Sequence, residues 1–145
     1  MNVLRRLVRS NRPELALLAA ALVLLARVRL ALWLLPWRRM LTAAQPPRGM
    51  SPPRFSVDRL EWAIQSASRA VPHATCLTQA LALHHLLRRE GYAGTVQIGV
   101  SQGGGRFAAH AWVECNGVPL LSSVSELSRY SRFFTWPPRQ PDSVQ

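Results

Sequence analysis

The hydrophobic period of this chain changes once, between Glu90 and Val96, and that change limits the folds open to it. Upstream, Val57, Leu60, Ile64 and Ala67 recur at helical spacing within Ser56 to Ala70. Ser56 is the N-cap candidate and Val71-Pro72 ends the run. A second helix is predicted from about Cys76 to Glu90, with Thr75 as N-cap and Gly91 just past its end. It gathers Cys76, Ala80, Leu83 and Leu87 on one face. Downstream the period becomes two. Val96, Ile98 and Val100 alternate with small or polar residues, and Gly103-Gly104-Gly105 makes a turn. Arg106 to Cys115 then reads as a strand. Phe107, Ala109, Ala111, Val113 and Cys115 share one face, and Arg106, Ala108, His110, Trp112 and Glu114 the other. Asn116-Gly117 is a hairpin signal that returns the chain through Val118 to Ser122. Two helices followed by an antiparallel sheet make an α+β domain.

Ahead of this pattern lies an apolar run, Leu15 to Leu35, preceded by Arg5, Arg6, Arg9 and Arg12 and closed by Pro36. It lacks a small-residue cleavage site, which sets aside a signal peptide. It has nearly the length of a membrane span. Arg27 and Arg29 lie inside it, at roughly 2.5–3.5 kcal/mol each if centrally placed. Two readings stay open: a helix packed on the domain or touching a membrane peripherally through residues 15–37, and an inserted helix. Trp37-Arg38-Arg39 suits either an interfacial anchor or a solvated helix end.

With 145 residues there is room for one domain. All 18 cations are arginines, against 7 acids, for a net charge of +11, which favours acidic partners. The arginines are scattered without interleaved aromatic residues, so nucleic acid is not the expected partner. The acids are Glu14, Asp58, Glu61, Glu90, Glu114, Glu126 and Asp142, too few and too dispersed for a glycosidase or a carboxylate-bound magnesium site. Cys76 and Cys115 form no CxxC pair, and neither a disulfide framework nor a zinc site is expected. Two free thiols fit a reducing, cytoplasmic location, with or without membrane contact.

Cys76 opens a predicted helix, where unpaired backbone N–H groups and the helix dipole favour an anion. Those N–H groups also suit an oxyanion beside an attacking sulfur. The opposing reading is a small buried hydrophobe. Of the histidines, His84 and His85 lie roughly 12 Å or more along the same helix, out of reach, and suit a solvated or capping role. His73 follows a proline in a turn. His110 lies within a strand that presents it rigidly, either as a base or as a core histidine.

Cys76-Leu77-Thr78-Gln79-Ala80-Leu81-Ala82-Leu83, Leu86 to Gly91, Ile98-Gly99-Val100 and Ala109-His110-Ala111-Trp112-Val113-Glu114 follow one another in this order. Together they resemble the transglutaminase-like maturation protease of lasso-peptide biosynthesis, the stand-alone leader peptidase, closely over about Arg59 to Leu121. The resemblance implies a transglutaminase-like, papain-like cysteine peptidase fold with the nucleophile at a helix N-terminus packed on an antiparallel sheet. It implies Cys76 as nucleophile, His110 as base, and no cofactor or metal. The implied partners are a precursor peptide, a separate leader-recognition protein and the lasso cyclase. On this reading residues 1–45 are a basic and apolar helical segment and 46–54 a Pro-rich linker. Residues 55–135 are the catalytic domain and 136–145 a flexible tail.

The resemblance places the family's aspartate on the return strand, about twelve residues past the histidine, where this chain has Ser122 and Ser123. A two-residue Asn116-Gly117 loop would set Ser123 opposite His110, and a loop longer by one would set Ser122 there. Glu114 shares the His110 face but lies roughly 13 Å along the strand. Asp58, Glu61 and Glu126 remain as acids that only the fold can bring close. The expectation is a Cys76–His110 dyad with Ser122 as a weak orienter. The competing expectation is a catalytically weak scaffold of a peptide-maturation complex.

Overall fold

The structure, a computed structural model, describes residues 12–36 and 52–137. Trp37-Arg38-Arg39, linker residues 46–51 and tail residues 138–145 lie outside the described residues.

Helix α1 spans Arg12–Leu34, with Pro13 in its first turn, where a missing N–H costs nothing. Helix α2 spans Val57–Ser68 and α3 spans Cys76–Arg89. The three pack on one another, with α1 against both others. Leu17, Ala21, Leu25 and Val28 form the inner face of α1, and Leu60, Ala63, Ile64 and Ala67 that of α2. Glu14 pairs with Arg59 across the α1–α2 contact. The Glu90 carboxylate accepts from the backbone N–H of Arg54 (2.6 Å) and of Phe55 (3.3 Å), tying the chain entering α2 to the end of α3.

The strands are β1 Gly94–Ser101, β2 Ala108–Cys115, β3 Val118–Leu120 and β4 Ser131–Trp136, with a short helix α4 at Val124–Leu127. They form one antiparallel sheet ordered β3-β2-β1-β4. Asn116 (φ 51°) and Gly117 (φ 78°) both take left-handed conformations, as a two-residue hairpin turn between right-twisted strands requires. In β2, Ala111, Val113 and Cys115 join the core beneath α3, while His110, Trp112 and Glu114 project from the other face. A Cβ at Gly94 would lie 3.1 Å from Leu87 of α3 and 3.4 Å from Val113, which fixes the side on which α3 rests.

Several expectations are corrected. The β2 strand starts at Ala108, not Arg106, and β3 stops at Leu120, not Ser122. The α4 helix and the β4 strand were not expected. Trp136, read as the start of a tail, pairs with Val96 and packs against the core. A register shift between Ile98 and Gly99 leaves Phe133 without a partner and 77% exposed. That bulge breaks the alternation by which Ser131–Trp136 would otherwise read as a strand. His84 is buried, not solvated, its ring centroid 4.8 Å from that of Trp136.

Candidate functional site

Cys76 is the first residue of α3 and is half-buried against the core. Thr75 caps the helix: its Oγ1 accepts from the Thr78 N–H at 3.3 Å, and its carbonyl accepts from Gln79 N–H at 3.0 Å. The Gln79 side-chain amide donates to the Ala74 carbonyl at 3.1 Å, bracing the turn before the helix. The backbone N–H groups of Cys76 and Leu77 lie at the open end of α3, in the first turn that no intrahelical carbonyl can serve.

His110 sits near the start of β2, opposite Gly99 of β1. Its ring lies nearly parallel to Trp112, with centroids 6.2 Å apart and 22° between planes, and 5.3 Å from the ring of Tyr130. Gly99 makes this packing possible. A Cβ there would fall 2.9 Å from ring carbons of Trp112 and from Cβ of Tyr130, closer than atoms tolerate. Trp112, which shares the His110 face, is 1% exposed and packs tightly there.

Nε2 of His110 lies 2.6 Å from Oγ of Ser122. The hairpin loop has two residues, and Val113 pairs with Leu120, a register that would carry Ser123 opposite His110 if the ladder ran on. It does not run on. Leu121 adopts φ 68°, and its N–H donates at 2.6 Å to Glu61 of α2. This kink brings Ser122 to the imidazole, while Ser123 turns away to cap α4, its Oγ accepting from Glu126 N–H. Glu61 is thus the acid that the fold brings to this strand end, bound to the backbone one residue before Ser122. Nothing in its own helical neighbourhood signals that contact.

Glu114 is engaged elsewhere, accepting from Arg132 at 2.5 Å and from Trp112 Nε1 at 3.5 Å. Cys115 is buried, and burial pushes its thiol up from the ordinary value. His84 is pushed down to about 4, chiefly by burial and next by the Arg88 guanidinium. No group of histidine, cysteine and acidic side chains able to hold a metal ion occurs among the described residues.

Cys76 and His110 share one end of the α3–sheet layer. Leu87 lies against Gly94, and His84 against Trp136, the partner of Val96, so α3 runs back along β1. From Leu87 to Cys76 and from Gly94 to Gly99 the chain covers roughly 16 Å in each case, as helix and as strand. That brings the start of α3 level with the Gly99–His110 pair. The imidazole nevertheless leaves the sheet on the face away from the α3 core. Among the described residues its hydrogen bond goes to Ser122, and none joins it to Cys76.

Residues 21–135, most of the chain, match the profile of the transglutaminase-like superfamily. Comparison with curated proteins and with solved structures finds no match.

Proposed function

The chain belongs to the transglutaminase-like superfamily, and from that premise we propose that it is a cysteine peptidase that removes the leader from a lasso-peptide precursor. The observation that carries this reading is the 2.6 Å contact of His110 Nε2 with Ser122, at the place where the family resemblance puts the third catalytic residue. In the tautomer that donates Nε2–H to Ser122, the Nδ1 lone pair is free to act as the base.

In this mechanism His110 takes the Cys76 proton and the sulfur attacks the scissile carbonyl. The oxyanion meets the open N–H groups at the start of α3. The C–N bond breaks as imidazolium protonates the leaving amine. Water, deprotonated by the same ring, then releases the acyl group from sulfur. The imidazole leaves the sheet on the face away from the α3 core, so the mechanism requires thiol and imidazole to be brought together around the sheet end in the substrate complex. A separate leader-recognition protein and the cyclase are the proposed partners, with the arginine surface serving their docking.

The second reading is a non-catalytic scaffold of the same maturation complex. It is favoured by serine in place of the aspartate and by the absence of a Cys76–His110 hydrogen bond among the described residues. Precursor cleavage in the presence of the recognition protein separates the two. The peptidase reading expects cleavage by the natural chain and a loss of roughly a hundredfold or more in Cys76→Ala and in His110→Ala. Cleavage at the natural rate by either variant contradicts it.

A further inference from the structure

The outer face of α1 is largely apolar and, among the described residues, uncovered. Leu15, Leu22, Val23, Leu30, Trp33 and Leu34 are exposed, Trp33 to 81%, and their spacing keeps them on one side of the helix. The helix is long and apolar enough to cross a membrane by length and composition. Its opposite face, however, is committed to the protein: Leu17, Ala21, Leu25 and Val28 are buried against α2 and α3. Drawing α1 into a bilayer would strip Leu60, Leu83 and their neighbours of cover and expose them to water.

We propose that α1 lies in the plane of an anionic membrane surface, its outer face seated at the boundary between headgroups and acyl chains. Charge decides the occupant. The chain carries +11, and from Met1 to Arg39 its only acid is Glu14, which is engaged by Arg59. Arg12 and Arg27 are exposed on α1 itself. A second copy would set +11 against +11 across the contact, whereas anionic headgroups meet the arginines while the acyl region takes the leucines. The long Arg27 side chain reaches from the apolar face back to the headgroups. This surface is independent of the peptidase chemistry and stands or falls without it.

The test is sedimentation of the full chain with vesicles of phosphatidylcholine alone or with about 30% phosphatidylglycerol. Binding is expected on the anionic vesicles and little on the neutral ones, falling roughly tenfold in about 0.5 M salt. Leu22→Glu with Leu30→Glu, both outside the core, is expected to reduce binding roughly tenfold or more. Arg12→Gln with Arg27→Gln, which leaves every apolar contact in place, is expected to weaken it by a similar factor. Alkaline carbonate is expected to release the bound chain. No binding to anionic vesicles at low salt, binding that neither double variant reduces, or retention through the carbonate wash overturns the proposal. So does self-association in the ultracentrifuge that Leu22→Glu with Leu30→Glu abolishes.

Discussion

His110 is held by three neighbours of different kinds: the Ser122 hydroxyl at Nε2 and the rings of Trp112 and Tyr130. Ser122 contributes one neutral hydrogen bond, worth about 1 kcal/mol, whereas a carboxylate there would contribute about twice that. The difference, about 1 kcal/mol, corresponds to roughly fivefold in rate if it acts on the imidazolium of the transition state. Ser122→Asp is therefore expected to raise single-turnover precursor cleavage about fivefold, and Ser122→Ala to lower it, as followed by mass spectrometry. Equal rates in all three chains would show that Ser122 does not orient the ring. His84 carries a different prediction. Burial holds it neutral in the folded protein down to about pH 4, whereas in the unfolded chain it takes up a proton below 6.5. The unfolded state then binds the extra proton between those values, so stability falls as pH drops from 6.5 towards 4, by up to about 3 kcal/mol, and levels below. Denaturant unfolding across this range is expected to show that loss in the natural chain and less of it in His84→Leu. Parallel profiles would contradict the assignment.

At the scale of elements, the site depends on how β1, β2 and the chain after β3 fit together. Gly99 leaves room for Trp112 and Tyr130 beneath His110, and any side chain there must displace one of them. Gly99→Ala is expected to cost about 1–3 kcal/mol in thermal unfolding and to change the near-ultraviolet circular dichroism of the tryptophans. An unchanged spectrum and melting temperature would argue against tight packing at that point. Much of this level was legible from residues alone. Helical spacing in Val57–Ala67, the Thr75 cap and the Asn116-Gly117 turn are local signals, and local interactions form those elements. The choice between Ser122 and Ser123 was not legible. It depends on Leu121 turning to φ 68° where Glu61 of α2 binds its N–H, a contact sixty positions away in the chain. The β4 strand stayed hidden because the Phe133 bulge interrupts its alternation. The burial of His84 stayed hidden because its cover comes from Trp136, a residue that its proline-rich surroundings made look like tail.

For the whole molecule, α3 lies against β1 and β2 of the four-stranded sheet, and α1 and α2 pack on α3 and on each other. Two regions carry the proposed activities: the end where α3 begins and β2 starts, and the outer face of α1. Motif order along the chain points to the first, since Cys76 opens α3 and His110 lies near the start of β2. Periodicity places His110 on the sheet face opposite Ala111 and Val113, and it does not encode how that face meets the start of α3. The most direct measurement is the rate of alkylation of Cys76 by iodoacetamide across neutral pH, resolved from Cys115 by peptide mass spectrometry, in the natural chain and in His110→Ala. The peptidase account predicts that Cys76 reacts faster than Cys115 and slows by roughly tenfold or more when His110 is removed. A Cys76 rate that ignores the loss of His110 contradicts the proposed partnership.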